Sequence, residues 1–249
     1  MRLEGPLVAG TFIQRDNRFR ATVEVGGQPV WAHVPNSGRL EELFVSGRPV
    51  LLRQVDLPHR KTRYDLVLVK VGQILVSADA RLPNKLVCEA IVVGRLPEFS
   101  GYEIIHREVP YGGSRLDFVL EGDRQRCLIE VKSVTLVEEG LALFPDAPTQ
   151  RGRQHVEELA RAVQEGERAA IVFVIQREDA VAFAPNDAAD PAFGQVLREA
   201  AKGGLEVYAY RCRVTPTEIT LDRPIPVVLH GSYLSKRGFC DIIDSDKIM

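Results

Sequence analysis

Three residues of this chain have types and spacing suited to chemistry on a phosphate: Asp117, Glu130 and Lys132. Glu130-Val131-Lys132 ends the apolar run that starts at Cys127 and reads as a strand. Side chains alternate across a strand, so Glu130 and Lys132 project from one face and Ile129 and Val131 from the other. Asp117 begins a second strand-like run, Leu116–Glu121, joined to the first by a short turn. A hairpin of the two brings the carboxylates together. Two carboxylates with a backbone carbonyl make a hard oxygen site for Mg²⁺ or Mn²⁺. A lysine beside them orients an attacking water or stabilises charge developing on a phosphate. Glu89, upstream on a predicted helix, is the candidate third carboxylate. The catalytic set is then Asp117, Glu130 and Lys132, and the metal set Asp117, Glu130 and Glu89. The plainer reading is a salt-bridge network on a strand surface, because an E-x-K triplet alone is common.

The elements that must position these groups fall into two parts. Up to about residue 80 the pattern is short β-rich runs: Leu3–Phe12, Phe19–Val25, Val30–Val34, Pro49–Val55 and Tyr64–Val71, then Gln73–Ser77. Turn signals separate them, among them Gly26-Gly27 and Ser46-Gly47. Five or six short strands with close turns predict a small closed barrel of the OB type, with one helical turn over Gly38–Phe44. From Asn84 the spacing becomes helical, through Leu86, Val87, Ala90 and Ile91. Strands are expected at Tyr102–Val109, Leu116–Glu121 and Cys127–Val131, a helix over Arg153–Glu165, and a strand buried on both faces at Ala169–Gln176. A helix at Phe193–Ala201 and a strand at Leu205–Arg211 complete an α/β layered domain with a central mixed sheet. The chain reads as an α+β two-domain protein, with domains over 1–82 and 83–230 and a tail, 231–249, of no clear periodicity.

That order of helix, strand, Asp strand, ExK strand, helix and apolar strand is similar to the PD-(D/E)xK nuclease core, with Leu116-Asp117 standing where the pattern has a proline before its aspartate. The resemblance then widens. AHVPNSGRLEEL (32–43), RKTRYDLVLV (60–69), LPNKLVCEAI (82–91), VPYGGSRLDFVL (109–120), CLIEVKSVTL (127–136) and FPDAPTQRGRQHVEEL (144–159) resemble blocks of the sugar fermentation stimulation protein family. The likeness spans nearly residues 2–230. It implies a DNA-binding protein with an N-terminal OB-like barrel and a C-terminal nuclease-like domain, in a family named for a proposed role in maltose utilisation. By that resemblance Asp117, Glu130 and Lys132 inherit nuclease-type roles, and Glu89 more loosely. Whether the site turns over stays open. The rival is a non-enzymatic DNA-binding regulator of sugar metabolism that keeps the nuclease core as scaffold. A carbohydrate enzyme has no support, for no glycosidase-like carboxylate pair or phosphate-cradling glycine loop is present.

Nucleic-acid contacts are expected from Arg15, Arg18, Arg39, Arg60 and Lys61, which sit near turns with Phe19 and Trp31 interleaved, and from Arg151 and Arg153 at the entrance to a helix. Cations that follow phosphates beside aromatics that stack bases describe single-strand-binding barrels. Trp31 is assigned to the core. At the helix entrance Thr149, Arg151 and the first amides could hold a phosphate, or the loop merely caps the helix. His155 is read as a structural donor rather than a base.

Charge narrows where a polyanion would bind. The net charge is −2, yet residues 1–82 hold 12 Lys and Arg against 8 Asp and Glu, so the excess of cations lies in the first third. The expected partner is DNA, bound through a local patch without strong sequence specificity; oligomeric state is not legible, and a homodimer is compatible. With 45% hydrophobic residues, no run long enough to span a bilayer and no signal peptide, a cytoplasmic protein is expected. Cys88, Cys127, Cys212 and Cys240 lack zinc-ligand spacing and are expected reduced.

Overall fold

A computed structural model describes residues 1–3, 5–56, 59–122 and 126–230. The expected tail, 231–249, lies outside the described residues.

The first strands, β1 (Leu7–Asn17), β2 (Arg20–Val25) and β3 (Gln28–His33), form an antiparallel meander. β4 (Pro49–Gln54) pairs with the other edge of β1, β5 (Tyr64–Val71) with β4, and β6 (Ile74–Ser77) with β5. A short parallel pairing of β3 with β5, Ala32 against Tyr64 and His33 against Asp65, closes five strands into an OB-like barrel. Phe12, Ala21, Val23, Ala32, Leu52 and Leu66 fill its interior. β1 and β2 approach so closely at Gly10 that a Cβ there would stand 2.7 Å from Val23 Cγ1. The single helical turn expected within 38–44 is present, with Phe44 N donating to Leu40 O at 3.0 Å.

The second part opens with α1 (Leu82–Val92) and continues through β7 (Ile104–Tyr111), β8 (Ser114–Glu121) and β9 (Cys127–Val134). Next come β10 (Val137–Glu138), β11 (Leu141–Phe144), α2 (Gln150–Gln164) and β12 (Arg168–Ile175). β13 (Ala182–Pro185), α3 (Pro191–Lys202), β14 (Glu206–Val214) and β15 (Ile219–Pro224) complete it. The main sheet runs β15-β14-β12-β9-β8-β7, with β9, β12 and β14 parallel and the flanks antiparallel. β12 is buried from Ala169 to Ile175 because both faces are covered. α1 covers one face, over Ile129, Val131 and Val172, while α2 and α3 cover the other, over Leu128, Ile171 and Phe173. A small second sheet, β10-β11-β13, stands beside it.

The barrel and the α/β part are fastened at several points. Leu3 N donates to Thr217 O at 2.8 Å and Ile219 N to Met1 O at 2.9 Å, so residues expected with the barrel join the edge of the far sheet instead. Val67 and Leu68 of β5 share an apolar cluster with Leu86 and Val87 of α1. Ser77 N donates to Gln176 O at 3.0 Å.

The barrel also holds a buried charge. The Asp65 carboxylate accepts from Arg60 at 2.5 Å, from Arg53 at 2.8 Å and faces His33 Nδ1 at 3.2 Å. Burial pushes its pKa up, but the bonds from Arg60 and Arg53 outweigh burial and hold it at about 2. A depressed acid stabilises the fold above its ordinary pKa, 3.8, and loses that contribution as pH falls toward 2. Asp65→Asn is expected to lower stability at pH 7 by about 1.5–3 kcal/mol, since it takes the anion from the half-buried Arg53 and Arg60 guanidiniums. Urea unfolding at pH 7 and pH 2 checks this: the gap between variant and wild type shrinks at the lower pH.

Candidate active site

β8 and β9 pair over three rungs only, Phe118 with Ile129, Val119 with Leu128 and Leu120 with Cys127. The next rung would set Asp117 against Glu130, and there the ladder stops. The Asp117 side chain takes over, its Oδ2 accepting from Val131 N at 2.7 Å. On the other flank Glu108 lies between the rungs Arg107–Phe118 and Val109–Leu116, opposite Asp117, with φ of 53°. A left-handed residue in an edge strand bends it locally. The two strands part at the point where the carboxylates meet.

Asp117 Oδ1 accepts from Asn84 Nδ2 at 2.6 Å, which ties the first turn of α1 to the split. Lys132 Nζ donates to Glu130 Oε1 at 2.6 Å, as expected of neighbours two apart on one face. The same oxygen accepts a short bond from His155 Nδ1 of α2, and His155 Nε2 accepts from Arg151 Nε at 3.2 Å. This pairing places the imidazole proton on Nδ1. Glu130 and His155 are both buried.

The two carboxylates are driven apart electrostatically. Burial pushes Asp117 up, the charge of Glu130 pushes it further, and it reaches about 6. Burial acts the same way on Glu130, but His155 and Lys132 outweigh it and hold it below the usual carboxylate range. Glu130 Oε2 is buried with no hydrogen-bond partner. An orphaned carboxylate oxygen is costly unless something cationic or protic completes it. The donor set of two carboxylates is hard and fits Mg²⁺ or Mn²⁺. Among the described residues no cluster of three or more His, Cys, Asp or Glu could hold a metal. A metal held there would need neutral oxygens for its remaining positions.

Comparison with known proteins bears on this geometry. The family model described as "Sugar fermentation stimulation protein RE domain" matches residues 81–218, and "SfsA N-terminal OB domain" matches residues 13–78. The chain belongs to the sugar fermentation stimulation protein family. It is 48% identical to the "Sugar fermentation stimulation protein homolog" of Caldanaerobacter subterraneus over 92% of this chain and 100% of that one. The homolog of Alkaliphilus metalliredigens is 49% identical, over 90% and 98% of the two chains. The solved structure of Pyrococcus furiosus SfsA in complex with Ca²⁺ superposes with a TM-score of 0.84 at 32% identity, covering 92% and 98%. Within this family frame the OB-like barrel answers to the first matched domain and the α/β part with its mixed sheet to the second. No helix among the described residues is long and apolar enough to cross a membrane.

The structure brings Asp117, Glu130 and Lys132 together and turns Glu89 away. Glu89 is 50% exposed and lies 3.3 Å from the amino terminus of Met1. It follows Asn84 by five helical positions, about 140° round from the face that meets Asp117. The helix residue at the split is Asn84, which sequence reasoning missed; its place in the first turn, ahead of the apolar stripe, was the available signal.

The cations also separate by role. Arg15 spends its guanidinium on the carbonyls of Gly38, Arg39, Arg18 and Asn36, so it organises loops. Arg60 is held by Asp65, and Arg153 by Asp190 at 2.8 Å. Arg18, Arg39, Lys61 and Arg151 are exposed. Thr149 Oγ1 caps α2 by accepting from Gly152 N at 3.0 Å, and Thr149 N donates to Asp190, so the capping account holds for that loop. Trp31, assigned to the core, is 53% exposed, because β3 turns Ala32 inward and Trp31 outward.

Two substitutions separate the Glu89 and His155 positions. Glu89→Gln is expected to shift stability by no more than about 0.5 kcal/mol and to leave divalent-cation binding unchanged. His155→Ala removes a charge-assisted bond from a buried carboxylate and is expected to cost about 1.5–3 kcal/mol. Thermal unfolding with a parallel Mn²⁺ titration reads both.

Proposed function

We propose that this chain is a divalent-metal-dependent nuclease acting on DNA. The observation that carries the reading is Glu130 Oε2, buried without a partner beside a second, elevated carboxylate and a lysine. The Ca²⁺ in the Pyrococcus relative supports it as a likeness between the two chains.

Asp117 and Glu130 would hold the cation, with Asn84 fixing the first and His155 the second. A bound Mg²⁺ or Mn²⁺ supplies a Lewis acid and a water of lowered pKa. Lys132, its ammonium anchored on Glu130 Oε1, offers its remaining protons to charge developing on the phosphoryl oxygens. Neutral His155 locks the Glu130 rotamer through Nδ1 and steadies Arg151 through Nε2. Arg151 is exposed, and its terminal nitrogens, with no protein partner among the described residues, would meet a backbone phosphate. Arg18, Arg39 and Lys61 supply further phosphate contacts.

Calorimetric titration with Mn²⁺, run beside cleavage of labelled DNA, tests the assignment. Wild type binds the metal and cuts. Asp117→Asn and Glu130→Gln each abolish the heat of binding, while Lys132→Ala keeps it and slows cleavage by about 10²–10³. If wild type shows no heat at millimolar metal, or either carboxylate variant binds as wild type does, the nuclease reading falls and a DNA-binding scaffold replaces it.

A further inference from the structure

We propose that the barrel holds its nucleic acid as a single strand, with bases stacked on Phe19 and Trp31 and phosphates met by Arg18, Lys61 and Arg63. This rests on the nucleic-acid reading above and names the form of the substrate.

Among the described residues, Phe19 and Trp31 are the aromatic members of the exposed large apolar set, at 50% and 53%. Trp31 stands opposite Thr22 on the outer face of β2 and β3, while Ala21, Val23 and Ala32 point into the barrel. Phe19 ends the turn between β1 and β2, where its N donates to Asn17 Oδ1 at 2.9 Å. The Arg20 guanidinium lies 4.4 Å from the Trp31 ring centroid. Its Nε is tied to Asp16 at 3.1 Å, and its terminal nitrogens have no protein partner among the described residues.

Charge selects among occupants for these rings. Arg18, Lys61 and Arg63 are exposed, and the last two lead into Tyr64, which pairs with Ala32 beside Trp31. A protein partner would have to desolvate or neutralise three cations of one sign beside the rings. A duplex offers phosphates but keeps its bases stacked inside. A single strand offers both, since every base has a π face for an aromatic platform.

The platform is continuous with the site. Arg15 gathers the carbonyls of Arg18 and Arg39, and Asp146 Oδ2 accepts from Arg39 N at 2.8 Å. Asp146 lies in the loop that leads into α2, which carries Arg151 and His155. Arg18, Arg39 and Arg151 therefore mark a path from the rings to the carboxylates.

Trp31 is the only tryptophan of the chain, so its emission reports stacking directly. The full chain is titrated in EDTA with an oligothymidylate of about 16 nucleotides, the upper site size of one such barrel. Saturable quenching is expected, equal in wild type and Glu89→Gln, whose position lies away from both rings and carboxylates. A blunt duplex of the same length and inorganic polyphosphate are expected to leave the emission unchanged. By anisotropy, Phe19→Ala and Trp31→Ala each weaken single-strand binding about ten-fold, and Trp31→Phe restores most of it. Arg18→Ala instead lowers the salt slope by about 1. Equal quenching by polyphosphate, duplex binding as tight as single-strand binding, or ring variants that bind as wild type overturn the proposal. An emission blue shift that grows with protein concentration alone also overturns it, because a second copy would then cover the rings. Quenching is read without metal, so its failure is distinct from failure of the nuclease reading.

Discussion

The site depends on one interruption: the ladder between β8 and β9 ends where Asp117 would face Glu130, and the Asp117 carboxylate accepts the amide of Val131 in place of a backbone carbonyl. A continuous ladder would set the two carboxylates on adjacent strands with no room between them for a third body. Where the strands part, the Asp117 carboxylate takes up the Val131 amide. This also fixes Asp117 from two sides, since Asn84 reaches in from α1. The burial that elevates Asp117, with the charge of Glu130 added to it, is thereby built into the frame of β8, β9 and α1.

The opposite wall is made by α2. His155 is buried between Glu130 and Arg151, so one imidazole transmits the position of a strand residue to an exposed arginine. The start of α2 is itself placed by Asp190, which accepts from Thr149 N, pairs with Arg153 and caps α3 through Phe193 N. One carboxylate thus sets the entry of two helices. Just upstream, Asp146 takes the amides of Arg39 and Leu40 from the barrel loop.

Much of this was legible because strand alternation is a strict rule. The period of two placed Glu130 and Lys132 on one face, and the unbroken run at 169–175 announced a strand covered on both sides. Glu89 was misplaced because a helix carries acids all round its exposed surface, and spacing alone does not say which side meets the sheet. Trp31 was misjudged because hydrophobicity suggested burial, whereas the register of Ala32 in the barrel dictates that its neighbour face outward. Arg15 looked like its neighbours in sequence; only the fold reveals four carbonyls converging on it. β13 and β15 escaped notice because short strands gain their identity from partners far along the chain.

The fastening of the barrel has a mechanical meaning. Residues 1–3 run back to the strand end at 217–219 beside α1, β6 is tied to Gln176 through Ser77 N, and Asp146 bolts a third point at the barrel loop. A body held at three points does not swing. On the nuclease reading, grip and blade then stand at a fixed separation, as on a ruler. The spacing between a bound end and the broken bond becomes a property of the frame, indifferent to the letters of the strand it measures.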